Sequence, residues 1–338
     1  MVVLGKGLIT SRHKVSILRQ GTVRIDNPGN ISLFDVHSPL SEEAVELIGE
    51  KKYKKPFVVF ECTSYCTYSQ AVVPSPMSWV PTFLSHLNDR MTVVDRVKSV
   101  ISNIFLSLFM VVMDKNFEKL KAELKISPEK SLTTIRQQAQ IFLVNSDPIF
   151  EFPRPLTPNI IQVGGILASQ PINVTNIDPK FDEISSKKFG IIAFGSSLDF
   201  CSHPKLLANI YKILIEFSDI HWVWSLKCKL DKDYPNIHTF KWIPQTYLLA
   251  KESCVLFISH GGLNSIYESM YHGVPVLTIP LPADAIDNSV RLKRHGMSEI
   301  LPFHTKDIQE SVLPSQISQT KTIRQSCILD KSCIKVWW

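Results

Sequence analysis

His260, Gly261 and Gly262 stand at the end of an apolar run, Phe257-Ile258-Ser259, and a helix-like segment opens directly behind them. That is the layout of a βα turn whose backbone N–H groups and helix N-terminus meet a phosphate. The paired glycines permit close approach and unusual backbone angles. His260 and Ser265, with the amides around Gly261 and Gly262, can hydrogen-bond a diphosphate. Glu268 follows Asn264 and Ser265 by one helical turn, so the three share a face. A carboxylate there can accept two hydrogen bonds from a ribose diol. Trp242 offers a flat face for a nucleobase. Asp284, just beyond the apolar run at 275–281, is placed to hold sugar hydroxyls.

These side chains meet only if they lie beyond the carboxyl ends of neighbouring parallel strands, where open α/β sheets bind their ligands. The second half of the chain supplies that scaffold, because its pattern alternates strand and helix. Strands are expected at 190–195, 221–225, 237–240, 255–258 and 274–279, with helices at 204–217 and 287–295. Trp222 and Trp224 point to one face of their strand, as core residues. In the first half, a strand is expected at 14–18, a helix at 41–49 capped by Ser41, and a buried strand at 57–60. A Pro-rich extended loop at 73–81, a long helix at 91–113 and strands at 141–144 and 160–163 follow. The segment 166–186 contains Pro171 and Pro179, lacks a clear period and reads as a linker; after about 303 the pattern decays.

Three linked motifs carry a resemblance. They are Trp242-x-Pro244-Gln245-x-x-Leu248-Leu249, Phe257-x-x-His260-Gly261-Gly262-x-Asn264-Ser265-x-x-Glu268, and Gly273-Val274-Pro275 with Asp284-x-x-x-Asn288. Together they resemble the donor signature of the UDP-glycosyltransferases, and most of all the animal UDP-glucuronosyltransferase type. An isolated His-Gly-Gly would be a plain tight turn; the long ungapped run is what is specific. The resemblance implies uracil on Trp242 and ribose on Gln245 and Glu268. It places the diphosphate on His260, Asn264 and Ser265, and the donor sugar on Asp284. Ser196, in Gly195-Ser196-Ser197, matches a Gly-Ser position facing the diphosphate. Ala285 departs from the pattern, which usually has Gln there, and so removes an amide that would bond the sugar.

The same resemblance implies an α/β fold of two Rossmann-like domains (GT-B type) with the N-terminal one incomplete. Residues 1–165 would be a partial acceptor-binding domain, 166–186 a linker, 187–305 the UDP-sugar donor-binding domain and 306–338 an irregular tail. The family's catalytic His belongs about one βα unit upstream of the segment matched by His13, and its Asp or Glu partner a few residues after Phe34-Asp35-Val36, where no residue clearly fills that role, so no residue here is assigned as catalytic. Asp35 reads as a strand-end residue. Trp79-Val80-Pro81 and Met91-Thr92-x-x-x-Arg96 also resemble the family, where this region borders the acceptor pocket. Implied is metal-independent, inverting transfer of glucuronic acid or glucose to a small lipophilic acceptor hydroxyl, with the UDP-sugar as co-substrate and no cofactor. The alternative is a non-catalytic UDP-sugar-binding remnant lacking the N-terminal catalytic His. A nucleotide-sugar epimerase does not share the run from Trp242 to Asp284. The resemblance implies the lumenal side of the endoplasmic reticulum membrane and a role in detoxification.

The bulk numbers agree with a globular protein: 338 residues suit two domains, and 44% hydrophobic residues can build a core. The net charge of +6 is scattered. Lys51-Lys52-Tyr53-Lys54-Lys55 is the one dense cluster and reads as a solvated loop or helix end, so a nucleic-acid partner is not expected. None of the seven cysteines forms a Cys-x-x-Cys pair or has His at zinc spacing, so no metal is expected; their odd number leaves the redox compartment open. The opening apolar run is interrupted by Lys6 and is too short for a secretory signal. The best apolar stretch, 100–113, is too short for a bilayer span. Asn30-Ile31-Ser32 and Asn173-Val174-Thr175 are glycosylation sequons usable only in a lumen. A shortened or mis-spliced reading frame is the expectation that joins the missing start, middle and end of the family pattern.

Overall fold

The computed structural model describes residues 15–20, 31–36, 58–61, 75–123, 130–166, 168, 177–195 and 198–301. The chain packs into two units. One takes residues 1–77, 100–146 and 153–163; the other takes 78–99, 147–152 and 164–338. The expected helix at 41–49, the lysine cluster, both sequon asparagines and the tail beyond 301 lie outside the described residues.

In the first unit, β1 (Val15–Gln20) and β2 (Ile31–Val36) pair in parallel, with Val15 opposite Ile31. β3 (Val58–Glu61), β4 (Ile141–Val144) and β5 (Ile160–Gln162) form a second parallel sheet in that order. Val59, Phe142, Val144 and Ile160 build its core with Ala139. α1 (Val93–Glu123), of which residues 100–123 belong to this unit, and α2 (Leu132–Gln137) lie between β3 and β4 in sequence. α1 begins with reciprocal capping: Asp95 accepts the Thr92 N–H at 3.0 Å, and the Asp95 N–H reaches Thr92 Oγ1 at 3.2 Å. It runs ten residues past the expected end at 113, because Lys115, Glu118, Leu120, Lys121 and Glu123 are strong helix formers. Val93, Val97, Val100, Ile104, Leu108 and Val111 recur at helical spacing and are exposed. Contrary to the sequence expectation, α1 is long and apolar enough to cross a membrane by length and composition.

The second unit holds a six-stranded, all-parallel sheet. Its elements in chain order are α3 (Pro179–Ser185), β6 (Phe189–Ala193), α4 (Pro204–Glu216), β7 (His221–Ser225), β8 (Ile237–Phe240) and α5 (Gln245–Leu249). They continue with β9 (Cys254–Ser259), α6 (Leu263–His272), β10 (Val276–Thr278), α7 (Asp284–Arg294) and β11 (Ser298–Ile300). The strands lie in the order β8-β7-β6-β9-β10-β11. Numbered within this unit, that is the doubly wound order 3-2-1-4-5-6 of dinucleotide-binding sheets. The winding direction reverses between β6 and β9.

Both faces of the sheet are buried, so its strands are nearly continuous apolar runs. Side chains alternate between two cores. Ile191, Val223, Phe257 and Val276 join one core with Ile266 and Met270 of α6. Ile192, Trp222, Trp224, Ile258 and Leu277 join the other with Ile210 and Leu214 of α4. Gly190 sits opposite Trp222 in the register, and a Cβ there would fall 2.5 Å from the indole Cζ3. The stretch expected as a linker contains α3. Asp178 caps it by accepting the Lys180 N–H at 3.0 Å, and Phe181 and Ile184 are buried. At seven residues the helix is too short for its period to show in the sequence. Cys201 and Cys228 form a disulfide joining the segments after β6 and β7.

Candidate functional site

The carboxyl ends of β6 and β9 flank the reversal point, where a doubly wound sheet opens a crevice. β9 ends at Ser259, and His260-Gly261-Gly262 forms the turn into α6. Gly261 has φ +87, a left-handed value that strains any other residue. A Cβ on Gly261 would meet Ser289 Oγ at 2.6 Å and the Ala285 carbonyl at 2.7 Å. A Cβ on Gly262 would lie 2.6 Å from His260 Nε2, so the glycine is what lets the imidazole lie across the turn. Gly262 is the N-cap of α6 and supplies no side-chain cap, which leaves the first-turn amides to a ligand. Burial holds the His260 pKa below its ordinary value, against the raising effect of the Asp284 carboxylate. Its Nδ1 is buried without a hydrogen-bond partner among the described residues.

One turn into α6, Ser265 and Glu268 meet Gln245 at the start of α5. Gln245 Nε2 donates to Glu268 Oε2 at 2.7 Å and to Ser265 Oγ at 3.1 Å. Burial pushes the Glu268 pKa up, while hydrogen bonds from Gln245 and Thr246 pull it down. The remaining acceptor capacity of this fixed carboxylate suits a vicinal diol. Trp242 stands three residues before Gln245 with its indole 69% exposed, a free flat face. Asn264 is exposed on the first turn of α6.

α7 begins at Asp284, three residues earlier than the sequence predicts, so Asp284 occupies the first helical position rather than a loop. The buried face of this helix is mostly polar, with Asp287, Asn288, Ser289 and Arg291 beside Ala285 and Leu292, so no apolar period marks its start. Asn288, one turn on, ties the helix to the phosphate-type turn: its Nδ2 donates to Asp284 Oδ2 at 3.0 Å and to the Gly261 carbonyl at 3.2 Å. Arg291 donates to Asn288 Oδ1 at 2.8 Å and pairs with Glu151 at 3.6 Å. The structure thus joins Gln245, Ser265 and Glu268 in one hydrogen-bonded network and joins Asp284 to the Gly261 carbonyl through Asn288 in a second, with the His260 ring within electrostatic reach of Asp284. Ser196 lies outside the described residues. Ala285, where a Gln was expected, is buried on α7. Sequence reasoning assigned no role to Asn288, Ser289 or Arg291; the one signal was Asn288 at helical spacing from Asp284.

A doubly wound sheet with such a turn at its reversal point is a nucleotide-binding α/β layout, and its solved likenesses are glycosyltransferases of the GT-B fold. Solved structures agree on the fold. The glycotransferase of kitacinnamycin superposes with a TM-score of 0.65 at 14% identity, covering 99% of this chain and 91% of that one. The UDP-glucose: anthocyanidin 3-O-glucosyltransferase, solved in complex with UDP, gives 0.61 at 15% identity over 99% and 90%. The family profile described as UDP-glucoronosyl and UDP-glucosyl transferase matches residues 34–312, and the chain belongs to that family. Among relatives, the 2-hydroxyacylsphingosine 1-beta-galactosyltransferase of Rattus norvegicus is 33% identical over 69% of this chain and 43% of its own length. Human UDP-glucuronosyltransferase 3A2 is 32% identical over 78% of this chain and 53% of its own. The chain therefore spans about half the length of the curated relatives it matches.

Proposed function

We propose that the site binds the UDP moiety of a UDP-sugar and that the protein transfers the hexose to a lipophilic hydroxyl with inversion. The observation that carries this reading is the pair of hydrogen-bonded networks at the sheet's reversal point, one fit for a ribose and one for a diphosphate and sugar. In the reaction, the acceptor oxygen loses its proton to a base and attacks the sugar's anomeric carbon. The bond from that carbon to the diphosphate breaks, and UDP leaves. Charge on the departing diphosphate is met by the neutral His260 imidazole, Ser265 and the uncapped amides of α6. Glu268 and Gln245 hold the ribose, Trp242 stacks the uracil, and Asp284 with Asn288 holds the sugar hydroxyls. Glucuronic acid and glucose are the sugars the motif suggests. The galactosyl relative makes galactose the third to test.

Membrane association and a lumenal location belong to the same proposal. The exposed apolar side of α1 and the Cys201–Cys228 disulfide both support it. Calorimetry with UDP, UDP-glucose, UDP-glucuronate and UDP-galactose, with a transfer assay on phenolic and sphingoid alcohols, tests the reading. Binding of UDP with sugar transfer is expected. Binding without transfer leaves a donor-binding protein only, and absence of uridine nucleotide binding rejects the site.

A further inference from the structure

Among the described residues, three that are not glycine have left-handed φ: Leu84 at 62°, His86 at 58° and Ala283 at 88°. All three gather at the start of α7. Ala283 directly precedes Asp284. Leu84 and His86 reach the same helix through one carboxylate. The Leu84 N–H donates to Asp287 Oδ2 at 2.5 Å, and the His86 N–H to Asp287 Oδ1 at 2.9 Å. The two ends of this link are more than 200 residues apart in sequence. Asp287 is buried, so both of its oxygens are committed to the turn rather than to solvent. A second fastening lies at the other end of the helix: Arg294 grips Asp89 with two hydrogen bonds, 2.7 and 3.2 Å. The segment 84–89 is therefore strapped along α7, its upstream end toward the Asp284 end of the helix. Left-handed backbone at Leu and His persists only where surrounding contacts force it, and such strain gathers at ligand sites.

We propose that Asp287 is a positioning residue that holds the strained turn at 84–86 as a wall beside Asp284, and that this wall sets the grip on the donor sugar. The inference rests on the donor-site reading above and adds to it a part the sequence motif does not contain. On the uridine side Gln245 is bonded to Ser265 and Glu268, whereas the strap is bonded to α7 through Asp287 and Arg294. The wall therefore acts on the UDP-sugar and not on UDP.

The test uses the full chain in three forms: wild type, Asp287→Ala, and Asp287→Ala with Leu84→Gly and His86→Gly. Glycine adopts the left-handed conformation without strain, so it restores the turn if holding that turn is what Asp287 does. Amide exchange across 82–90 and calorimetry with UDP, UDP-glucose and UDP-glucuronate are read together. In Asp287→Ala, protection at Leu84 and His86 is lost, and UDP affinity stays within about twofold. The advantage of the preferred UDP-sugar over UDP falls by about tenfold, as expected for a small misplacement beside the reacting group. The glycine pair recovers most of that advantage. Equal weakening of UDP and UDP-sugar, unchanged protection, or no recovery by the glycines would overturn the proposal. A wild-type chain that binds no uridine nucleotide would instead overturn the donor-site reading and the sugar role with it, while amide exchange still judges the fastening.

Discussion

Glu268 is half-buried, raised in pKa by that burial and fixed by Gln245 at 2.7 Å, a carboxylate preset for one partner. Removing it as Glu268→Ala should weaken UDP binding by about 1.5–3 kcal/mol, the range for hydrogen bonds to a charged group; calorimetry reads this directly. Because its folded pKa lies above 4.5, acidification protonates it sooner than a free Glu and should weaken UDP further as pH falls toward that raised value. The glycines of the turn give a second test. Gly262→Ala drives a methyl into the His260 ring and should lower UDP affinity with little change in melting temperature. Gly261→Ala meets backbone and forces left-handed alanine, so it should destabilise the fold by about 2 kcal/mol or more, seen by denaturant melting. Most of these residues were legible in the sequence because they sit on consecutive βα turns within one short stretch. Asn288, Asp287 and Arg291 were not assigned roles, since what they bind comes from other turns or, for Leu84 and His86, from a distant segment.

Among elements, the β7–β8 edge is where pH should act on stability. His221 Nδ1 and His238 Nε2 are 3.1 Å apart with rings within 14° of parallel, an arrangement in which one ring donates and the other accepts. Burial lowers both pKa values; the Lys187 charge adds to this at both, His221 adds at His238, and Glu183 opposes it there. A histidine with a depressed folded pKa is bound by a proton more readily in the unfolded chain. Its stabilising contribution is present above 6.5 and is lost as pH falls from there toward the folded values. The urea midpoint should therefore drop between pH 7.5 and 5.5, and His221→Leu with His238→Leu should flatten that slope. Sequence periodicity found five of the six sheet strands and α4 because each buries a continuous apolar face; β11, three residues long, was missed. It missed α3, too short to show a period, and placed the start of α7 three residues late because the buried face of that helix is mostly polar.

At the scale of the molecule, Cys201–Cys228 closes a separation of 27 residues across two βα connections of the donor sheet. Constraint of the unfolded chain predicts a loss of roughly 3 kcal/mol in Cys201→Ser with Cys228→Ser, measured as a lower denaturant midpoint. No spacing rule reveals such a pair, because the two cysteines come together only when β6 and β7 pair. The α/β class of the second half was legible from the strand–helix alternation, the two-domain GT-B form only from the resemblance, and the reversal point follows from the strand order. α1 was shortened in the sequence reading because its charged end interrupts the apolar run while the helix continues. Whether the carboxyl ends of β6 and β9 form a uridine diphosphate site is decided by titrating the wild-type chain, His260→Ala and Glu268→Ala with UDP. Saturable binding to the wild type and at least tenfold weaker binding to each variant, a loss of about 1.4 kcal/mol or more, are expected; equal affinity in all three, or none in the wild type, would rule the site out.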